Sequence, residues 1–247
     1  MSLIVYVIIT VVAIICGQGV KHIEKNLIPL CLEKINHKEF FKNIKKDFKF
    51  DFKYSLCLTI IFNLIYFING NILNTYIYMA LVLMLLIVFS IDYKIQLIPD
   101  EAHIYIIILS IINIIFDKNN VIDYLLGALV GGGIFFIISY VAYLILKKEG
   151  MGFGDVKLMA SLGLLFGVKD ILVITLLAFL IGAIVGIILL VTKKKDKNSY
   201  IPFGPFIVIA TILIMFIPSD YIIEVYISFC SKLGLVITDM IYYFIEN

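Results

Sequence analysis

Arginine and tryptophan are absent from this chain of 247 residues, and charge of either sign is sparse. Only 20 lysines and 18 acids carry formal charge at neutral pH. A soluble domain of this length needs far more charged surface, so that class is excluded. Without Trp, any interfacial aromatic belt must draw on the 15 Tyr and 19 Phe. The four cysteines, Cys16, Cys31, Cys57 and Cys230, are scattered with no CxxC pair. The three histidines, His22, His37 and His103, lack zinc-ligand spacing. Neither a disulfide framework nor a structural metal site is expected from such a pattern. Apolar residues are what the chain has in abundance: 62% of it, with a mean hydropathy of +1.09. They fall in long blocks with few internal charges, which predicts an all-α, polytopic transmembrane helix bundle.

Hydropathy marks segments at about 2–17, 54–69, 72–91, 102–116, 121–146, 156–168, 171–191 and 203–217, and a further apolar stretch at 221–245. The first block has no basic flank before it and no A-x-A-like cleavage site, so it reads as a retained helix rather than a signal peptide. Lysines cluster at 21–53 (nine), at Lys94, at 147–157 (three) and at 193–197 (four). Placing those loops in the cytoplasm puts 17 of 20 lysines on one side and leaves only Lys118 and Lys169 in outer turns. The positive-inside rule then sets the N-terminus outside and makes 156–168 a true crossing, although it is short for one. The expected organisation is a first transmembrane helix (1–17), a small basic cytoplasmic segment (18–53) and a transmembrane helical core (54–247). The basic segment interleaves nine Lys with Phe and Ile. It reads as an amphipathic helix on anionic membrane lipids, not as a nucleic-acid site. Gly127 with Gly131, and Gly182 with Gly186, stand four apart, a spacing that lets helices pack closely in lipid.

Ionisable groups at the ends of spans are the informative residues of a membrane protein, because charge there is expensive. Asp92 ends the run 72–91, Asp100 follows it in IDYKIQLIPD, and Asp155 ends the glycine-rich loop GMGFGD. Both loops are cytoplasmic by the lysine distribution, so Asp92 and Asp155 can share one membrane depth. Gly150, Gly152 and Gly154 would let the loop take positive φ and approach another segment closely. Asp155 would then sit at the N-cap or first turn of the next helix. Pro99 would set a turn, with Asp100 or Glu101 capping helix 102–116. Taken singly, each aspartate could be a plain helix-end residue. Taken together, two carboxyls in a partly desolvated site would share one proton, one serving as base to a water and the other as acid. No Ser or Cys has a convincing His partner. A metal held by Asp92, Asp100, His103 and Asp155 has no ligand geometry to support it. An ion-coupled transporter using Asp92 and Asp155 as ion sites is the alternative, although neither motif recurs in a second half of the chain.

Three ordered blocks, IDYKIQLIPD (91–100), GMGFGDVKLMASLG (150–163) and IPFGPFIVIA (201–210), resemble the type IV prepilin peptidases, members of the GxGD aspartyl membrane proteases. The resemblance covers roughly residues 72–217. It implies cleavage of the short basic leader of prepilins or pseudopilins at the cytoplasmic face of a bacterial inner membrane. Asp92 and Asp155 would be the catalytic pair, Gly152 and Gly154 would shape the loop, and Lys157, Pro99 and Asp100 would support it. Pro202, Phe203, Gly204 and Pro205 would be structural. Proteolysis by two aspartates needs no cofactor. Many members also methylate the new amino terminus with S-adenosylmethionine and carry paired CxxC motifs. This chain lacks those pairs, and its Cys16-Gly17-Gln18-Gly19 only loosely echoes the family's first-helix glycines. Methylation, the identity of the prepilin partner and the oligomeric state stay open.

Overall fold

Ile, Val and Phe are mediocre helix formers in water, but in lipid a backbone with no water to bond must satisfy itself, and the helix does so within one segment. The computed structural model follows that rule. It describes residues 3–32, 52–147, 151–192 and 201–246, and among these there is no strand. The helices are α1 (Leu3–Cys31), α2 (Phe52–Asn69), α3 (Leu73–Ile95), α4 (Asp100–Phe116), α5 (Val121–Leu146), α6 (Phe153–Val191), α7 (Gly204–Phe216) and α8 (Ser219–Glu246). A short 3₁₀ turn, Lys118–Asn120, leads into α5. The first seven helices belong to one compact unit, Met1–Phe216, and α8 to another, Ile217–Asn247. In the latter, the Pro218 carbonyl accepts the N–H groups of Tyr221 and Ile222 and opens α8.

Five helices, α1, α2, α3, α5 and α6, are long and apolar enough to cross a membrane, so the chain is a multi-pass membrane protein. The outer surface agrees. On α4, Ile104, Ile108, Ile111 and Ile115 form an exposed stripe, while Ala102, Ile106, Leu109 and Asn113 point inward. Such a stripe suits acyl chains and not water. α3 is the central helix, with Leu81, Val82, Leu85, Val88 and Ile91 fully enclosed and α1, α2, α4 and α7 packed around it.

One expectation is revised. The first helix does not stop near residue 17 but continues to Cys31, through Gly17, Gly19 and Lys21 and past Pro29. Its length is ~43 Å, more than a ~30 Å hydrocarbon core requires, so its polar end extends beyond the apolar zone. The rest of the expected surface helix, 33–51, lies outside the described residues, as do Gly150 and the lysine run 193–197.

α6 is continuous in hydrogen bonding only at first sight. At Gly167 the backbone takes φ 81°, ψ −179°, which is not helical. Met159, before the break, and Ile171, after it, both lie against Gly131 of α5, and Gly163 and Gly167 both lie against Gly127. Positions on either side of the break therefore share a depth: the chain reverses there. The expected crossings 156–168 and 171–191 are the two arms of this hairpin. α5 seats against them through glycine. A β-carbon on Gly127 would stand 2.4 Å from the Gly163 carbonyl oxygen, and one on Gly131 would stand 2.5 Å from that of Met159. The Gly127 and Gly131 face thus serves close packing. The other pair is uneven: Gly182 meets Phe203 and Phe206, whereas Gly186 faces open space.

Candidate active site

The last turn of α3 carries Asp92, and the chain leaves that helix at Gln96, whose left-handed backbone (φ 57°) lets its N–H return to the Asp92 carbonyl. Three residues later Pro99, in extended conformation, occupies the N-cap of α4, so the helix begins at Asp100 itself. Asp100 was expected as a cap, yet it makes no capping hydrogen bond. Its Oδ1 instead accepts from Lys157 Nζ at 2.7 Å. That ammonium holds the Asp100 carboxyl, exposed at the head of α4, below the usual carboxylate range. Lys157 also lies 5.5 Å from the Phe153 ring centroid, close enough for a cation–π contact.

Gly152 is the N-cap of α6 and Asp155 sits in its first turn, its N–H bonded to the Gly152 carbonyl at 3.1 Å. Neither Gly152 nor Gly154 takes positive φ, contrary to expectation. Gly154 is needed for a different reason. A β-carbon there would stand 3.1 Å from Ile98 Cβ, so glycine lets the loop after α3 and the start of α6 touch.

These two loops enclose a cavity of about 490 Å³, into which both Asp92 and Asp155 look. Gly152, Gly154, Asp100 and Lys157 line it too. Pro99 does not; it borders a neighbouring cavity that shares Leu97, Ile98 and Asp100. Each aspartate is only 4% exposed, and each lies within electrostatic reach of the other. Their environments differ. Asp92 Oδ2 accepts the Gly204 N–H at 3.0 Å. Asp155 Oδ1 is buried without a hydrogen-bond partner. One carboxylate is anchored by a backbone N–H and the other keeps a buried acceptor without a partner, and both belong to residues that line the same cavity.

Gly204 is the residue that inspection of the sequence undervalued. It was read as part of a structural block, yet it starts α7 and aims a helix N-terminus at Asp92, where amide donors and the helix dipole favour a carboxylate. The block does have a structural side: the Phe203 ring packs on Phe135, Phe179 and Phe206 and fixes where α7 begins. A backbone donor carries no side-chain signature; the prolines flanking Gly204, Pro202 and Pro205, were the one available hint of a helix start.

Residues 79–187, which include Asp92, Asp155 and the loop before it, match the model of the type IV leader peptidase family. This part of the chain is similar to a type IV leader peptidase domain. Its curated relatives include a prepilin leader peptidase/N-methyltransferase of Xanthomonas campestris pv. campestris, 33% identical over 146 residues, 58% of this chain and 50% of that protein. The protein of the same description from Pseudomonas aeruginosa is 35% identical over 142 residues, 57% of this chain and 49% of the relative. That from Aeromonas salmonicida is 39% identical over 88 residues, 36% and 30% respectively. The chain thus spans about half the length of the first of these relatives. No solved structure matches it. α1 and α2 precede the matched region and α7 follows it, yet α7 supplies the Gly204 donor to the cavity.

Proposed function

We propose that the protein is a membrane aspartic endopeptidase that removes the leader from prepilins or pseudopilins, with Asp92 and Asp155 as its catalytic pair. The observation that carries this reading is the sharing of one water-sized-to-peptide-sized cavity by two buried carboxylates at the ends of apolar helices. Charge in such a place is retained for chemistry more readily than for stability. The match to the leader peptidase family and the naming of the relatives as prepilin leader peptidases support hydrolysis over ion-coupled transport through Asp92 and Asp155. In the proposed reaction one aspartate takes a proton from a water, which attacks the scissile carbonyl. The other gives a proton to the departing amine. Asp92, held by Gly204 N–H, is the better placed to stay ionised as the base. Asp155, whose Oδ1 has no hydrogen-bond partner, serves as the acid. Gly152 and Gly154 set the loop that bounds the cavity, Lys157 and Asp100 tie the two loops together, and Pro99 starts α4 at the right place. The membrane is proposed to be a bacterial inner membrane with this cavity on its cytoplasmic face, as the lysine distribution supports.

The relatives' descriptions also name an N-methyltransferase, for which S-adenosylmethionine would be the cofactor. A cavity of about 740 Å³ between α1, α2 and the end of α3 is lined by Lys21, Lys25, Lys53 and Lys94. Its one carboxylate, Glu24, is already engaged by Lys94 and Tyr54. A sulfonium cation does not fit that surface, and no methylation step is derived from it.

The test is cleavage of a co-expressed or purified prepilin, read by mass spectrometry, with Asp92→Ala and Asp155→Asn as variants. Loss of leader removal in both supports the pair, and retained cleavage in either sinks it. The same spectrum shows whether the new amino terminus carries the mass of one methyl group.

A further inference from the structure

A second set of polar groups, of which Glu24 and Ser90 are buried, lies just behind Asp92, on the opposite side of α3 from the cavity. Glu24 of α1 is 3% exposed although it sits in an apolar helix. Its carboxylate pairs with Lys94 Nζ and accepts from the Tyr54 hydroxyl of α2 at 2.7 Å. The Tyr54 oxygen is also 2.9 Å from Ser90 Oγ. Ser90 and Lys94 are one helical turn apart and so share a face of α3, while Asp92 lies roughly half a turn round from both. The network therefore grips α3 on both flanks of Asp92 and leaves the aspartate itself facing the cavity.

Stability alone is a weak reason for this cluster. Glu24 is buried but the Lys94 side chain is half exposed, and an ion pair with one partner in reach of water is worth little. Its position offers a better one. α3 ends at Ile95, immediately after the grip, and the following link to Pro99 forms a wall of the cavity. The end of a helix is where fraying begins. Without the grip, the turn bearing Asp92 would keep the Gly204 N–H and the apolar packing of Ile91 but lose its polar contacts to α1 and α2.

We infer that Glu24, on a helix outside the matched domain, is a positioning residue: through Lys94, Tyr54 and Ser90 it locks the last turn of α3 and so sets the place of the Asp92 carboxylate. Its bearing on catalysis rests on the hydrolytic reading above; the locking itself does not. Glu24→Gln keeps the size and the Tyr54 contact but removes the ion pair, and Lys94→Met removes it from the other side.

Amide hydrogen exchange of the full chain in lipid nanodiscs, read by mass spectrometry over residues 88–98 and 201–208, tests the locking directly. In either variant, exchange at residues 92–96 and at Gly204 should quicken about tenfold or more, while the α6 arm 153–166 and α7 beyond Phe206 keep their wild-type rates. In the leader-cleavage assay kcat should fall at least ~10-fold with KM within about twofold of wild type, because a misplaced base harms the reaction and not the docking of substrate. Unchanged exchange at 92–96 overturns the inference. So does faster exchange spread evenly over α3, α6 and α7, which would mark a general loss of stability, and so does a raised KM at constant kcat. If exchange responds as expected but the wild-type protein cleaves no prepilin, the hydrolytic reading falls and the lock on α3 stands.

Discussion

Replacing Gly204 with alanine tests the least obvious part of the site, because it changes neither aspartate. A β-carbon at this position would stand 2.6 Å from Asp92 Oδ2, 3.0 Å from its Cγ and 3.3 Å from its Cβ. Ordinary contact begins near 3.4 Å, so the carboxylate must retreat by ~0.8 Å or α7 must move away by a similar amount. Neither is easy. Asp92 is on a turn of α3 gripped from behind, and the start of α7 is pinned by the Phe203 ring among Phe135, Phe179 and Phe206. The retreat also breaks the 3.0 Å hydrogen bond from the Gly204 N–H. A misplacement of about 1 Å at a reacting group is enough to lower a rate ~100-fold. Loss of one hydrogen bond to a charged group is worth about 1.5–3 kcal/mol. The expected result is a kcat for leader cleavage reduced ~100-fold, with KM changed little and the thermal midpoint in detergent lowered by only a few degrees. Gly186→Ala is the control, since nothing lies within 4 Å of a β-carbon there; it should match wild type in both measurements. Wild-type kcat in Gly204→Ala would refute the reasoning, since it would mean that the place of Asp92 does not matter.

Gly167→Ala should damage folding rather than chemistry: it forces a side chain onto φ 81° and places a β-carbon 2.0 Å from Asp123 Oδ2. A loss of several kcal/mol, or failure to accumulate folded protein, is expected in thermal melts. Lys157→Met removes the partner that holds the Asp100 carboxyl low. Because that carboxyl ionises at lower pH in the folded protein, the pair's contribution is full above the unfolded value of about 3.9 and is lost as pH falls through the folded one. Asp100 is 72% exposed, so the contribution is under ~1 kcal/mol. Wild type and variant should therefore differ slightly in midpoint at neutral pH and converge in acid. If two aspartates share the work, cleavage requires one of them protonated and falls on the alkaline side; a flat pH–rate profile into strong base contradicts the pair. Leader cleavage should also survive a strong chelator, and its abolition with recovery on adding metal would contradict a mechanism run by carboxyls alone.

Most helices were legible because apolar length is what lipid demands and what hydropathy reports. The segments expected at 54–69, 102–116 and 121–146 are α2, α4 and α5 to within two residues at either end. The α6 hairpin was legible through Lys169 and Asp170, whose charge marks the turn, although the residue that makes the turn is Gly167. α1 was cut short because hydropathy measures apolar content, and its helix runs on through polar residues to Cys31. Both aspartates were visible as charges at the ends of apolar runs. Gly204 was not, because its role is played by a backbone N–H 112 positions from its acceptor. The Glu24 cluster was hidden similarly: nothing local links residues 24, 54, 90 and 94 until three helices are packed together.

The two helices whose N-termini meet at the aspartates are both short. The first arm of α6, from Phe153 to the turn at Gly167, rises only ~21 Å, and α7, at 13 residues, ~20 Å. A hydrocarbon layer is ~30 Å thick. Both arms are largely sheathed by protein; where lipid does reach them, a thinner layer or a dip in the headgroup region would match their length. The dip would bring the aqueous boundary down to Asp92 and Asp155 while the longer α1, α3 and α5 hold the bilayer at full thickness around it. Bilayer thickness then becomes a variable of the reaction: short-chain lipids deepen the wetting of the cavity at little elastic cost, and thick, sterol-like membranes oppose it.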